Sequence, residues 1–326
     1  MPTALNDGVP DNRVEIHYGD RAMRCFVDRP ASLDAMFRAT AAAHAEREAV
    51  VFEADRLRYA ELDARVERTA QGLVAAGVAR GDRVALFAGN HLACLVALLA
   101  IVRSGAICVP IGIRQQRAEL AFILGQCAAR VLIFDAASAA RVPALQDVPT
   151  IERFYVCDGE PDAAWSFGQA IAPFSVLAQS DAVQVLPTLD EDDTAFLMYT
   201  SGTTGFPKGA RLSHVGFWHT LKHYQLAFGY APGARSLLAI PASHISGLLA
   251  CIYVMFSVGG CVVVQREFNA RRTLELIEQE RITATIFVPS IYNLLLRCPD
   301  FDRFDLATYW RIGHFGGAPM PEATVA

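Results

Sequence analysis

The 326-residue sequence lacks several patterns that would assign it to common functional classes. It has no block of consecutive lysines and arginines, and its formal net charge is −5, which argues against a nucleic-acid-binding surface. None of its eight cysteines forms a CxxC pair, and Cys94, Cys251 and Cys261 lie inside apolar runs. We therefore expect reduced, buried thiols in a cytoplasmic protein rather than a disulfide framework.

Two further absences concern targeting and membranes. Residues 1–13 are polar and contain no apolar signal-peptide core, so we expect residues 1–30 to form a flexible or loosely docked leader. Residues 245–264 contain no charged side chain, which is long enough to raise the question of a membrane span. Gly259-Gly260 divides this stretch, however, into a helix-length piece and the short β-branched run 261–264. We predict a buried helix followed by a buried parallel strand, and no membrane span.

Strands and helices alternate along most of the chain, as they do in the βαβ units of a doubly wound sheet. In the first half, a helix that ends near Gly77 is followed by strand 83–87, a helix over 92–102 and strand 106–109. The same alternation returns after an irregular stretch at 153–193. We therefore predict an α/β fold of two stacked, doubly wound subdomains, the first over residues 31–190 and the second over residues 191–326.

The most informative segment is residues 200–208, Thr-Ser-Gly-Thr-Thr-Gly-Phe-Pro-Lys, which follows an apolar run that predicts a buried strand. Its glycines let backbone N–H groups approach an anion, its hydroxyls add donors, and its lysine adds a mobile positive charge. It is not the Walker pattern, because no Gly-Lys-Ser/Thr triplet occurs. A simple turn would explain the glycines but not a lysine placed directly after Pro207. The segment therefore predicts a loop that binds a polyphosphate.

The segment resembles the signature loop of the acyl-adenylate-forming (AMP-binding) superfamily, which contains acyl- and aryl-CoA synthetases, luciferases and peptide-synthetase adenylation domains. The resemblance covers almost the whole chain. Residues 59–110 are similar to the family's amino-terminal half, and Pro-Ala-Ser-His-Ile-Ser-Gly at 241–247 resembles the motif that carries an aromatic residue or histidine near the acyl pocket. Gly-Gly-Ala-Pro at 316–319 resembles the segment that lies against the adenine and the acyl group.

The resemblance implies a set of ligands and site residues. The cofactors would be ATP or AMP, Mg²⁺ and coenzyme A, and the substrate would be a carboxylic acid. Thr200 would also contact the Mg²⁺ ion. The implied cofactor-binding residues are Thr200, Ser201, Gly202, Thr203, Thr204, Gly205, Lys208, Gly316, Gly317, Ala318 and Pro319.

The resemblance also implies a two-step reaction. A carboxylate attacks the α-phosphate of ATP to give an acyl-adenylate and pyrophosphate, and a thiol such as that of coenzyme A or of a carrier protein then displaces AMP. The family pattern continues with a Tyr-Gly-x-Thr-Glu motif, a ribose-binding aspartate, a hinge and a small carboxy-terminal domain with a catalytic lysine, and none of these occurs in the 326 residues. We therefore expect the larger part of an amino-terminal domain, without activity on its own.

His244 is the candidate residue of the acyl pocket or of its thioester side. Peptide-synthetase adenylation domains place an aspartate here to pair with the amino group of the substrate, whereas this chain has no carboxylate between Pro241 and Glu267. A buried ammonium group would be poorly compensated in such a pocket. A fatty or aryl acid is therefore the expected substrate, and the alternative is that His244 is only a core histidine.

Other residues favour structural interpretations. His219 and His223 are four apart and could share a helix face that binds zinc, but the sequence offers no evident third ligand. The acidic run 190–193 is expected to be a solvated linker. Three alternatives to a ligase stay open, namely a non-catalytic nucleotide- or acyl-binding module, an adenylation domain that loads a carrier protein, and an interaction module. A homodimer also stays open.

Overall fold

A computed structural model of the chain describes residues 10–165, 167–179, 183–200, 207–307 and 309–322. Helices and strands alternate through most of these ranges. The strands are β1 (Asn12–His17), β2 (Arg21–Phe26), β3 (Glu48–Phe52), β4 (Asp55–Arg58), β5 (Arg83–Phe87), β6 (Ile107–Pro110), β7 (Val131–Asp135), β8 (Arg153–Cys157), β9 (Ile171–Pro173), β10 (Thr194–Thr200), β11 (Lys208–Ser213), β12 (Arg235–Leu238), β13 (Cys261–Val264), β14 (Ala284–Phe287) and β15 (Ile312–Phe315).

The helices lie between these strands. The α-helices are α1 (Leu33–Ala43), α2 (Tyr59–Ala75), α3 (Leu92–Arg103), α4 (Arg117–Gln126), α5 (His214–Phe228), α6 (Val254–Val258), α7 (Ala270–Gln279) and α8 (Pro289–Leu296). A π-helix spans Ser246–Tyr253, and 3₁₀ turns span Ala136–Arg141, Leu145–Asp147, Phe174–Gln179 and Phe301–Arg303.

Two large sheets organise the molecule. The first has the strand order β11-β10-β6-β5-β7-β8-β9, in which only the β10–β11 pair is antiparallel. The second has the order β15-β14-β12-β13-β3-β4, in which only the β3–β4 pair is antiparallel. The non-consecutive orders show that the parallel strands are joined by crossovers, which is the doubly wound arrangement. The predicted α/β fold with two stacked parallel sheets is confirmed.

The first sheet is covered on both faces because its side chains alternate between two apolar cores. On β5, Val84 and Leu86 belong to the core that also holds α3 and the strands of the second sheet, whereas Ala85 and Phe87 belong to a separate core with α4. The larger core therefore continues from the first sheet to the second, and helix α3, buried from Cys94 to Arg103, lies within it.

The uncharged stretch 245–264 is a helix followed by a strand, as predicted. The π-helix and α6 end at Gly259, which has a φ of +68°, and β13 begins at Cys261. A Cβ at Gly259 would lie 2.1 Å from a ring carbon of His44, so a larger residue does not fit there. None of the helices in the described part of the chain combines the length and apolarity that a membrane span requires.

Strand pairing crosses the predicted boundary at residue 190 in both directions. Strands β3 and β4, from the predicted first subdomain, belong to the sheet of β12–β15, whereas β10 and β11, from the predicted second subdomain, belong to the sheet of β5–β9. The hydrophobic pattern indicates where strands occur but not which strand each will pair with, so the division into 31–190 and 191–326 does not describe the sheets.

The predicted leader of residues 1–30 also contains regular structure. Strands β1 and β2 form an antiparallel hairpin with Asn12 opposite Phe26 and His17 opposite Arg21. The hairpin is attached to the main body, because His17 and Tyr18 both hydrogen-bond to Asp192. The expectation of a loose leader was based on the polar residues 1–13, whereas residues 12–17 and 21–26 are paired strands.

Candidate active site

The predicted phosphate loop connects the two strands of a hairpin. Strand β10 contains the buried residues Ala195 and Phe196 near its start, and its last residue, Thr200, is paired with Lys208, the first residue of β11. Both Thr200 and Lys208 are exposed. Their pairing shows that the hydroxyl and the ammonium predicted to bind phosphates start from neighbouring backbone positions at one end of the ladder.

Five of the predicted cofactor-binding residues fall between Thr200 and Lys208 in the sequence. Ser201, Gly202, Thr203, Thr204 and Gly205 lie outside the described residues. On the described side of the loop, a Cβ at Gly209 would come 3.0 Å from Leu197 Cδ1 and 3.2 Å from Tyr199 Cζ. A larger residue after Lys208 would therefore require the Leu197 and Tyr199 side chains to shift by a few tenths of an ångström.

Asn90 joins the two sheets next to the motif at 241–247. Its side-chain amide, which is 6% exposed, donates to the carbonyl of Ile240 at 2.9 Å and accepts from the N–H of Ala242 at 2.9 Å. It also lies 3.3 Å from the carbonyl of Gln265, at the end of β13. An asparagine that follows β5 thus satisfies backbone groups at the carboxyl end of β12 and fixes the direction in which the chain continues toward His244.

His244 lies at the start of the π-helix and is exposed. Its backbone N–H donates to the carbonyl of Pro241 at 3.1 Å, and its carbonyl accepts from Leu248 at 2.9 Å. The first turn is tight, because a Cβ at Gly247 would come 2.3 Å from the carbonyl oxygen of Pro241. Glycine at position 247 therefore allows the helix to pack on the 241–242 backbone and present His244 to solvent. π-Helices are frequent at functional sites.

The third predicted segment, Gly316–Pro319, follows β15. Phe315 is the register partner of Phe287 on β14, and the N–H of Gly316 donates to the carbonyl of Phe287 at 3.2 Å. Gly317 has a φ of +82°, which favours glycine. Gly317, Ala318 and Pro319 are exposed, and a Cβ at Gly317 would lie 3.4 Å from Cγ1 of Val288, the N-cap residue of α8.

The carboxyl ends of strands from both sheets bring these segments to one side of the molecule. A Cβ at Gly112, after β6, would lie 3.5 Å from Ser243 Oγ, so the loops after β6 and β12 are in contact. The π-helix that follows His244 packs on the strand that leads to Thr200, with the rings of Tyr253 and Phe196 5.6 Å apart. In open α/β sheets, ligands bind in the crevice outside the carboxyl ends of the strands.

Burial shifts the titration of several groups near these loops. Desolvation lowers the pKa of His314, which lies two residues before Gly316 and is hydrogen-bonded to Tyr230 at 2.8 Å. Desolvation raises the pKa of Tyr199 to about 12, and the neighbouring Cys127 adds to the effect. These groups are therefore neutral around pH 7, and charge in the described site is concentrated on exposed groups such as Lys208.

The acidic run at 190–193 is not a plain solvated linker, which corrects the prediction. Asp190 and Asp193 close a turn through the 2.9 Å hydrogen bond from the N–H of Asp190 to Asp193 Oδ2. Glu191 pairs with Arg29, and Asp193 pairs with Arg80. The run therefore holds the N-terminal hairpin and the β5 region against the start of β10. Sequence composition could not show these long-range partners.

Asn90 and Gly247 are the residues whose importance the sequence did not reveal. The Gly-Asn-His order at 89–91, shortly after β5, is a turn signal that the sequence contains. The amide of Asn90 contacts backbone about 150 positions away. Only the folded structure reveals this contact.

Comparison with known proteins agrees with this arrangement. The AMP-binding enzyme family matches residues 37–326. The chain is 36% identical over 266 residues to the feruloyl-CoA synthase of an Amycolatopsis species, covering 81% of this chain and 50% of that protein. It is 31% identical over 273 residues to the long-chain-fatty-acid–CoA ligase FadD13 of Mycobacterium tuberculosis, covering 83% of this chain and 52% of that protein.

Among solved structures, the inhibitor-bound N-terminal domain of FACL13 from Mycobacterium tuberculosis is similar, with a TM-score of 0.81 and 29% identity over 90% of this chain and 72% of that one. The chain belongs to the AMP-binding enzyme family. It spans about half the length of the curated relatives named above.

Proposed function

We propose that this chain provides the phosphate, adenine and acyl sides of an ATP-dependent carboxylic acid–CoA ligase. The single observation that carries the proposal is the pairing of Thr200 with Lys208 at the loop end of the β10–β11 ladder. A hydroxyl and an ammonium placed there fit the β- and γ-phosphates of a nucleotide, and the loop between them adds further hydroxyls and two glycines.

Each predicted residue has a role in this proposal. Lys208 and the hydroxyls of the loop bind the phosphates, where charge develops during attack on the α-phosphate. Thr200 would hold Mg²⁺, which neutralises phosphate charge when bound. Gly316–Pro319 lie against the adenine, and His244 borders the acid and the thiol of coenzyme A. Asn90 positions the backbone before His244.

A fatty or aryl acid is the proposed substrate class. The segment between Pro241 and Glu267 carries no carboxylate that could compensate a substrate ammonium. The names of the relatives support both kinds of acid, since one is a feruloyl-CoA synthase and another is a long-chain-fatty-acid–CoA ligase.

The test is acid-dependent ATP–pyrophosphate exchange together with thioester release, measured over a panel of fatty and aryl acids. We expect exchange with at least one acid when the chain is produced together with the segments that its relatives carry beyond the matched half. We propose that residues 1–326 alone give no detectable acyl-CoA. Turnover by the 326-residue polypeptide would contradict that second statement, and the absence of acid-dependent exchange from the longer polypeptide would contradict the first.

A further inference from the structure

A cavity of about 320 Å³ lies between elements of both sheets. Its walls come from the end of β3, the start of β4, helices α2 and α3, the loop after β8 and the 3₁₀ turn at 174–179. Of the candidate site residues in the described part of the chain, namely Thr200, Lys208, His244 and Gly316–Pro319, none lines it. Pockets that bind small molecules have volumes of about 300–1,000 Å³, so this cavity has the size of a small-ligand site.

Most of the lining is apolar. Phe52, at the end of β3, and Phe174, at the start of the 3₁₀ turn, are 6% and 8% exposed. Helix α3 adds Leu92, Ala93 and Val96 from its first turns. Removal of apolar ligand surface from water drives binding to a lining of this kind. The cavity therefore suits a ligand with an apolar body, such as an aromatic ring.

Three polar side chains of the lining already have partners. The carboxylate of Asp158 pairs with the guanidinium of Arg266, which compensates its charge. Both ring nitrogens of His91 are engaged in hydrogen bonds, of 3.2 and 2.7 Å. The hydroxyl of Thr69 donates at 2.8 Å to a backbone carbonyl one helical turn earlier. These groups shape the cavity, and their hydrogen-bonding capacity is largely used within the protein.

The other polar side chains of the lining are Arg65, Asp55 and Ser175, and all three are exposed. Within the described part of the chain, none of these side chains has a hydrogen bond or an ion pair. Arg65 precedes the buried Thr69 by four positions, so it shares the face of α2 that borders the cavity. A guanidinium can bind a carboxylate through two parallel hydrogen bonds, whereas the carboxylate of Asp55 can only accept.

We propose that this cavity binds a small aromatic carboxylic acid that carries a hydroxyl group on its ring. The carboxylate of the ligand pairs with Arg65, its hydroxyl donates to Asp55, and its ring lies against the apolar lining. A plain anion would be repelled by Asp55 and a plain cation by Arg65, so a ligand with both an anionic and a donating end complements the two free charges. Binding needs no nucleotide, and the inference therefore does not depend on the proposed ligase activity.

The bound acid would contact both sheets. Strands β3 and β4 belong to the second sheet, whereas Asp158 follows β8 of the first. A ligand that binds only the folded chain stabilises it by mass action. We therefore expect the acid to raise the temperature of thermal unfolding as its concentration rises.

The experiment is isothermal titration of the 326-residue chain with 4-hydroxycinnamate, without ATP or coenzyme A. This probe has one carboxylate and one ring hydroxyl. Two further probes separate the contacts, since methyl 4-hydroxycinnamate lacks the charge and cinnamate lacks the hydroxyl. We expect each of them to bind about three- to tenfold more weakly than 4-hydroxycinnamate.

Variants of the chain assign each contact. Arg65→Gln should weaken binding of 4-hydroxycinnamate by about three- to tenfold and leave binding of the methyl ester unchanged. Asp55→Ala should remove the preference for 4-hydroxycinnamate over cinnamate, and Ala93→Trp should fill the cavity and weaken all three probes. The matched control is Arg68→Gln, which is exposed on the same helix outside the lining and should change none of the affinities.

Three results would overturn the proposal. The first is no binding of 4-hydroxycinnamate by the wild type, and the second is an affinity that neither Arg65→Gln nor Ala93→Trp changes. The third is binding that His244→Ala abolishes and Arg65→Gln leaves intact, because the acid would then occupy the acyl pocket proposed above. If Ala93→Trp does not fold, the exposed substitutions Arg65→Gln and Asp55→Ala decide the question, since exposed substitutions rarely affect stability.

Discussion

The side chain of Asn90 accepts a 2.9 Å hydrogen bond from the backbone N–H of Ala242 while donating to the carbonyl of Ile240, two residues earlier in the chain. One amide thus satisfies a donor and an acceptor on the same turn of backbone. The turn belongs to the second sheet and the asparagine follows a strand of the first, so the geometry of the crevice between them depends on this contact.

Replacing Asn90 should therefore destabilise the fold. Asn90→Ala leaves a buried N–H and at least one buried carbonyl without partners, and we expect a loss of about 1–3 kcal/mol in the free energy of unfolding. Urea denaturation measures the loss. The exposed Asn12→Ala serves as the control and should change stability by less than about 0.5 kcal/mol. If Asn90→Ala lowers the free energy of unfolding no more than Asn12→Ala does, the contact of Asn90 with residues 240–242 does not stabilise the fold.

A second prediction concerns the packing of Gly247, in the segment that carries His244. A Cβ at position 247 would overlap the carbonyl oxygen of Pro241, so we expect Gly247→Ala to cost about 1–3 kcal/mol. The matched control is Gly125→Ala in helix α4, where nothing lies within 4 Å of the added carbon. That substitution should stabilise the chain by about 0.4–1 kcal/mol. Thermal unfolding of both variants should therefore shift in opposite directions, and a stabilised Gly247→Ala would refute the packing described here.

The buried side chain of His214 should make the free energy of unfolding depend on pH. Burial lowers its pKa to about 4, below its ordinary value of 6.5, and its Nδ1 accepts from the N–H of Leu33 at 3.2 Å. The unfolded chain therefore binds more protons than the folded chain between these values, and stability falls as the pH falls from 6.5 toward 4. The slope from this group is at most about 1.4 kcal/mol per pH unit.

The matched variant for this effect is His214→Asn, which keeps an acceptor for Leu33 but cannot titrate. We expect its free energy of unfolding to vary less than that of the wild type over this pH range. Urea titrations at pH 7, 6, 5 and 4.5 measure the difference. Parallel pH profiles for the two proteins would contradict the assignment.

Much of the fold could be predicted from the sequence, because local signals are strong where the chain is regular. The alternation of strands and helices and the break at Gly259-Gly260 depend on neighbouring residues only. The pairing of β3 with β13 depends on segments more than two hundred positions apart, and nothing local indicates it. The hairpin at 12–26 was interpreted as part of a leader because residues 1–13 are polar, and its attachment through Asp192 joins residues far apart in the chain.

The residues of the candidate site likewise differ in whether the sequence alone could predict them. Thr200, Lys208, His244 and Gly316–Pro319 stood out because their residue types form recognisable runs. Asn90 did not, because a single asparagine in a turn is common, and its four backbone contacts exist only after both sheets have formed. The partners of the acidic run at 190–193 were missed for the same reason.

Binding of ATP and AMP to Lys208→Ala tests the central claim most directly, and the chain offers a control because Lys222 is its only other lysine. Isothermal titration of the wild type, Lys208→Ala and Lys222→Ala compares the two nucleotides. If Lys208 binds the β- and γ-phosphates, Lys208→Ala weakens ATP binding by roughly 1.5–3 kcal/mol and AMP binding by much less. Lys222→Ala leaves both unchanged. Equal losses for ATP and AMP in Lys208→Ala, or an ATP affinity that the substitution does not change, would contradict the phosphate site proposed for this chain.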